Sequence, residues 1–503
     1  MRNIRKFTKI LSVLLIVCSI LFFLAGCEKE DEVRTLRIYN WQEYIDDGTD
    51  DDGNKVYKSV LEDFQEWYKE TYGEEIEIQY DTFETNEVML NTLKTGKTTY
   101  DLICPSEYAI QKMIRLDMLE EYDFDAKDAN GNDIFTNYGN VSHYITDLFT
   151  EKNLNKYAVP YMWGTMGFIY VNSDDEVNSE QGLDGFTEEE VASWDILWTT
   201  DLKASAKDSL RDTYVVGVMH LYKEELDEAR TKYLNGQITK EAYSKICGDI
   251  MNSCDDETIK KVEKELVEMK KNIYSFEVDS GKNDVVTGKI SLNFAWSGDA
   301  VYAMDIAQEE EGVNLYYSVP EEGSNVWFDG WVIPKGCENK DLAQIFVNYL
   351  CSEEVAIRNM DFIGYTSSVV GDAVLERIEE NYGPEEGETG EEVDLTYLFD
   401  GCVSDDKYNS ENRIIVTINE RGRQFDAQYP DENVITRCGI MEDFGDQNDK
   451  VLAMWENVKI GSISPWANIV VIIAIVAIII LIVGGRFYKA YIRKTRKEKF
   501  RVE

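Results

Sequence analysis

Histidine is nearly absent from this chain. His143 and His220 are the only two in 503 residues, which argues against a His-based catalytic triad and against a zinc site that draws on imidazole ligands. No Cys-x-x-Cys pair occurs. Past Cys27 stand Cys104, Cys247, Cys254, Cys337, Cys351, Cys402 and Cys438, an odd number at irregular spacing in a body too large to need a disulfide framework. Cys247 and Cys254 are near enough in sequence to pair, but nothing in the spacing requires it. Basic residues are also scarce, with 51 Lys+Arg against 96 Asp+Glu and a net charge of −45. So acidic a surface disfavours nucleic acid and anionic lipid and suits cationic small molecules, although a solubilising surface accounts for the bulk charge as well. Thr95-Gly-Lys-Thr98 matches the end of a phosphate-binding loop, yet Asn91 stands where the first glycine is needed, and the segment precedes a strand instead of following one. With no nucleophile–base pair, metal cluster or cofactor loop, the expectation is a protein that is not an enzyme, with no catalytic residues, no metal and no cofactor.

Two apolar runs flank this acidic body. Arg2, Arg5, Lys6 and Lys9 precede an apolar stretch, Ile10 to Leu24, that closes in Leu24-Ala25-Gly26-Cys27. The pattern is that of an export leader over residues 1–26, and its ending resembles the bacterial lipobox, which makes Cys27 a candidate for lipidation. Trp466 to Gly485 is almost wholly apolar and about the ~20 residues a helix needs to cross a bilayer. Arg486, Lys489, Arg493, Lys494, Arg496, Lys497, Lys499 and Arg501 follow it. The positive-inside rule assigns that tail (486–503) to the cytoplasm and everything before residue 466 to the outer face of the membrane.

Between the anchors the pattern is α/β. Strands are expected at Leu36–Tyr39, Ile76–Tyr80, Asp101–Ile103, Ile290–Trp296 and Val326–Pro334. Amphipathic helices are expected at Tyr57–Tyr72, Asn86–Lys94, Asp208–Leu221, Asp255–Ile273, Asp299–Ala307, Asp341–Leu350 and Gln447–Lys459. Strand–helix–strand units of this length predict a mostly parallel sheet covered by helices. Arg377 to Asn433, rich in Glu, Gly and Asp, reads in part as a surface insertion, and residues 460–465 as a linker. At the end of the first strand Trp41, Glu43 and Tyr44 bring two aromatic faces and a carboxylate together, a combination suited to a cationic ligand.

Eight segments stand out in order: Tyr39-Asn-Trp-Gln-Glu-Tyr44, Tyr100-Asp-Leu-Ile-Cys-Pro-Ser-Glu-Tyr108, Val159-Pro-Tyr-Met-Trp-Gly164, Ser193-Trp-Asp-Ile-Leu-Trp198, Asp208-Ser-Leu-Arg-Asp212, Phe294-Ala-Trp-Ser-Gly298, Val326-Trp-Phe-Asp329 and Ile363-Gly-Tyr365. Together they resemble the spermidine/putrescine-binding proteins of bacterial ABC importers. The resemblance implies a two-lobed periplasmic-binding-protein-like α/β fold of type II, hinged around a cleft. One lobe would comprise residues 32–163 and 329–371, the other 164–328 and 372–459, with a C-terminal transmembrane helix added. It implies an aromatic box of Trp41, Tyr44, Tyr108, Trp296, Trp327 and Tyr365 for the methylenes of a polyamine. Glu43, Asp212 and Asp329 would meet its ammonium groups, and Ser106 would add a hydrogen bond. Implied partners are spermidine or putrescine, a separate permease and ATPase, and the membrane, but no nucleic acid. Two departures stand out: Ser209 where some members carry a second aspartate, and Met441 where a ligand-contacting glutamine is expected. Another cationic solute, or a membrane-anchored sensor of one, is the alternative reading.

Overall fold

A computed structural model describes residues 33–50, 53–96, 99–403 and 413–460. The leader with Cys27, the apolar run from Trp466 to Gly485 and the basic tail all lie outside the described residues. Among the described residues no helix is long and apolar enough to cross a membrane.

Eleven strands form one continuous sheet. They are β1 (Arg34–Trp41), β2 (Ile76–Phe83), β3 (Leu102–Ile103), β4 (Leu119–Glu120), β5 (Ala158–Val171), β6 (Ala204–Lys207), β7 (Ser275–Glu277), β8 (Leu292–Trp296), β9 (Leu315–Ser318), β10 (Val326–Pro334) and β11 (Thr366–Ser367). Along the main path the order is β2-β1-β3-β10-β5-β8-β6-β7. The local units follow ordinary rules. Ser59 and Glu62 close a capping box on the helix Val60–Tyr72, whose Val60, Phe64 and Tyr68 face inward at a spacing of four, and Gly73 ends it in the left-handed region at φ 73°. Gly96 ends the helix Asn86–Thr95 in the same way, at φ 60°. The Thr95-Gly96 pair is therefore a helix stop and cradles no phosphate.

The sheet is mixed, which corrects the expectation of a mostly parallel one. β1 runs parallel to β2 and β3, and β6 runs parallel to β7 and β8. The two parallel groups are joined through β5 and β10, which are antiparallel to each other. β5 holds fourteen residues, all buried. Its first half pairs with β10, and its second half pairs antiparallel with β8 and β9. A strand that serves both groups must be covered on both faces, and its near-continuous apolar run reflects that.

The stretch expected as partly insertion is more deeply built in than its composition suggests. Leu395, Leu398, Phe399, Ile414, Val416, Phe425 and Tyr429 are buried, and a small hairpin pairs β12 (Gly390–Asp394) with β13 (Arg413–Thr417). The Glu- and Gly-rich run across residues 384–392 is exposed throughout. The seven described cysteines are all free thiols. His220 stacks on Trp198 at 3.8 Å and bonds Asp195 at 2.6 Å; none of the three lines the cleft described next.

Candidate ligand-binding cleft

A cleft of about 850 Å³ opens where the two parallel groups meet. All ten residues singled out from sequence line it, and so do Ser209 and Met441.

Asp329 stands at its centre. A register shift between Phe328 and Gly330 interrupts the β10–β5 ladder at that residue, and such a bulge re-aims the side chain it carries. Its carboxylate is buried. Oδ2 accepts a 2.7 Å hydrogen bond from the Tyr44 hydroxyl, while Oδ1 has no hydrogen-bond partner among the described residues. Burial pushes the pKa up to about 7, against the nearby Ser106 and Tyr44 hydroxyls, which favour the charged form; Asp212 adds like-charge repulsion.

Aromatic rings surround this carboxylate. Tyr365 stands edge-on to Tyr44 at 5.4 Å and to Trp327 at 5.4 Å. Trp41 is held against Phe83 at 4.6 Å. The Trp327 indole N–H donates to the Thr165 carbonyl at 3.1 Å, which fixes the ring plane. Close approach of backbone to ring explains two glycines: a Cβ at Gly164 would meet Trp327 Cζ2 at 2.6 Å, and one at Gly298 would meet Tyr365 Cδ2 at 2.1 Å. Ser106 precedes the helix Glu107–Arg115 but makes no side-chain cap. Instead the Asn86 amide nitrogen donates to Ser106 Oγ at 3.1 Å and to the Tyr108 hydroxyl at 2.9 Å. Asn86 thus orients two of the predicted residues, a role sequence reasoning missed.

The three predicted carboxylates are not alike. Asp212 lies in the first turn of the helix Leu210–Leu221, whose cap is Ser209: its Oγ accepts the Asp212 N–H at 3.4 Å. The serine that departs from the family pattern therefore caps the helix that carries Asp212. Burial raises the Asp212 pKa, with Ser209, Arg211 and Lys207 opposing. Glu43 differs from both. It has φ 49°, its side chain is 79% exposed at the mouth, and it pairs with Lys282 at 3.5 Å. It does not stand with Asp329 and Asp212 as a free interior acid.

Sequence reasoning also missed Glu107, Lys207 and Asp299. Glu107 is buried; Oε2 accepts the Phe328 N–H at 3.1 Å and Oε1 has no partner among the described residues. Burial pushes its pKa up to about 8, with Asp329 adding to the rise. Arg211 is buried beside it, with the Phe444 ring 4.2 Å away and Nε and Nη1 unbonded among the described residues. Glu107 sits inside a quoted motif, and its position next to Ser106 was the available signal.

The cleft offers apolar walls, buried acids with open oxygens and no nucleophile–base pair. Apolar walls with buried acceptors are the chemistry of a small-molecule binding cleft. The profile of the bacterial extracellular solute-binding protein family matches residues 60–376, and the chain belongs to that family, whose members bind solutes and are not enzymes. Membership assigns the described body to the outer side of the cytoplasmic membrane. Among its relatives, the spermidine/putrescine-binding periplasmic protein of Salmonella typhimurium is 31% identical over 332 residues, covering 66% of this chain and 76% of the relative. The putrescine-binding periplasmic protein PotF of Escherichia coli is 28% identical over 67% of this chain and 78% of its own length. Among solved structures, a putative spermidine/putrescine ABC transporter protein from Listeria monocytogenes superposes with a TM-score of 0.57 at 22% identity, covering 85% of this chain and 99% of that one. The corresponding substrate-binding protein PotD of Streptococcus pneumoniae gives 0.53 at 24%, with the same coverages. These likenesses establish the periplasmic-binding-protein α/β fold.

Proposed function

We propose that this chain captures a polyamine, spermidine or putrescine, in the cleft and delivers it to a separate permease and ATPase. The carrying observation is the Asp329 carboxylate, buried among aromatic rings with Oδ1 left open. A buried acid without a partner is costly, and an ammonium group supplies both the missing charge and the missing hydrogen bond. Trp41, Tyr44, Tyr108, Trp296, Trp327 and Tyr365 form the walls for methylenes, and a ligand ammonium over a ring that no protein cation covers adds about 0.5–2 kcal/mol. Asp212 is the second acceptor, and Ser106 is the neutral one. The names of the relatives agree with this reading.

The two parallel groups act as lobes, residues 32–163 with 329–371 and residues 164–328 with 372–459, that close on ligand about the β5 and β10 crossings. In support, the β5 partners change from β10 to β8 near Gly164 and Met166. The sequence supports two tethers, a lipid on Cys27 and a span over residues 466–485 with a cytoplasmic tail.

Three tryptophans line the cleft, so titration of the full-length chain with putrescine and spermidine is expected to give a saturable change in tryptophan emission. An emission spectrum insensitive to both amines would overturn the reading. Metabolic labelling with a fatty acid, lost in Cys27→Ala, tests the lipid tether.

A further inference from the structure

One end of the cleft already holds an ammonium group, and it belongs to the protein. Lys207, at the end of β6, is 1% exposed. Its Nζ donates to Asp299 Oδ2 at 3.0 Å and to the Val278 carbonyl at 3.0 Å, and stands 3.3 Å from Glu277 Oε1. The same Nζ lies over the Trp296 ring, 4.4 Å from its centroid. The other oxygens of the two acids are satisfied: Tyr365 donates to Asp299 Oδ1 at 3.0 Å, and the Gly281 N–H donates to Glu277 Oε2 at 2.8 Å. An aromatic face backed by two carboxylates is receptor chemistry for an alkylammonium. Here it is filled. Lys282 reinforces this end from the mouth, pairing with Asp279 at 3.1 Å and Glu43 at 3.5 Å, with its Nζ 5.0 Å from the Tyr302 centroid. Although burial raises the pKa of Asp299, Lys207 and Lys282 prevail and hold it below the usual carboxylate range.

The remainder of the cleft is the reverse. Asp329 Oδ1 and Glu107 Oε1 have no partner among the described residues, whereas Glu277 Oε1, also without a hydrogen bond, has the Lys207 charge 3.3 Å away. Arg211 and Lys207 act on Asp212 through their charge, but neither forms an ion pair with it. A ligand ammonium therefore finds open acceptors at Asp329 and Glu107, where Arg211 faces the Phe444 ring, and a lysine ammonium already seated over the ring at the Trp296 end.

We propose that Lys207 is a specificity-determining residue, whose ammonium occupies the Trp296–Asp299–Glu277 subsite and makes the cleft select a diamine of the putrescine class over a triamine of the spermidine class. The inference rests on the polyamine reading. A diamine leaves Lys207 undisturbed. A triamine must bring its further charge next to a like charge in a dry site, or displace Lys207 from two buried acids; either is a repulsive element against the wrong ligand.

The test is calorimetric titration of the full-length chain with putrescine and spermidine, comparing wild type, Lys207→Met, Lys207→Arg and the double variant Lys207→Met/Glu277→Gln. The double variant removes one charge of each sign, so a folded protein remains if Lys207→Met alone leaves too many acids unpaired. The wild type is expected to favour putrescine at least tenfold. Lys207→Met and the double variant are expected to shift the putrescine-to-spermidine ratio at least tenfold toward spermidine, and Lys207→Arg to keep the wild-type preference. A wild type that favours spermidine, or an unchanged ratio in the folded double variant, overturns the role of Lys207 and leaves the polyamine reading intact. A folded wild type that binds neither amine overturns both.

Discussion

The Tyr44 hydroxyl donates a 2.7 Å hydrogen bond to Asp329 Oδ2 across 285 residues of sequence. It ties the aromatic turn after β1 to the bulge in β10 and leaves Oδ1 as the open position. Asp329→Asn keeps the shape and removes the charge, so amine affinity is expected to fall by about 1.5–3 kcal/mol, the worth of a charge-assisted hydrogen bond. Tyr44→Phe is expected to cost less, since it removes support for the carboxylate and not the carboxylate itself. Titration of both variants under one set of conditions gives the order.

Acidification should weaken binding through these same groups. An ammonium needs an ionised Asp329, whose pKa burial pushes up to about 7, and Glu107 beside it is raised to about 8. Below pH 7 the ligand must displace a proton, so affinity falls as pH drops and proton release appears as a dependence of binding heat on buffer ionisation enthalpy. A binding heat at pH 6 that is the same in phosphate and Tris would contradict this.

The same shifts predict a stability effect of opposite sense. Between an unfolded carboxyl pKa of about 4 and the raised native values, the native state holds more protons than the unfolded state, so stability falls as pH rises through that window. Asp329→Asn removes the Asp329 share of that slope. In the absence of ligand the variant should gain melting temperature relative to wild type at pH 8 and gain least at pH 5. An equal difference at both pH values would show that the carboxyl titrates normally.

Glu43 provides a contrast. It is exposed and paired with Lys282 at the mouth, and such pairs are worth about 0.2–1 kcal/mol. Glu43→Gln is therefore expected to change amine affinity less than fivefold, well below the effect at Asp329. A loss comparable to Asp329→Asn would mean that Glu43 turns inward to the ligand.

Gly298→Ala tests the packing of the box. The added Cβ would meet the Tyr365 ring at 2.1 Å, and a ring this enclosed yields only by leaving its place, at a cost of about 1–3 kcal/mol. The expected result is weaker amine binding in a folded protein, with Tyr365→Ala giving a similar loss.

What the sequence disclosed divides by physical cause. Helices and strands with regular apolar spacing, such as Val60–Tyr72 and β2, were legible because their period and the helix caps are local. The antiparallel crossing of β5 and β10 was not, since nothing within either strand specifies its neighbour's direction. Aromatic and acidic residues of the cleft were legible through short motifs, but their partners were not. Lys207 and Asp299 lie 92 residues apart, and only the fold reveals that this lysine takes up an acid lining the cleft. Likewise Glu43 lines the cleft as its motif suggested, but its exposure and its pairing with Lys282 were not visible in the sequence. The buried Phe425 and Tyr429 were hidden in an acidic, glycine-rich stretch whose average polarity masks them.

The most direct measurement is calorimetric titration of the full-length chain at pH 8 with putrescine and with spermidine, alongside Asp329→Asn. Saturable one-to-one binding of at least one amine, weakened in the variant, is the predicted result. Absence of binding heat from either amine in a folded wild-type chain, or equal affinity in the variant, would contradict the assignment of this cleft to a polyamine held by Asp329.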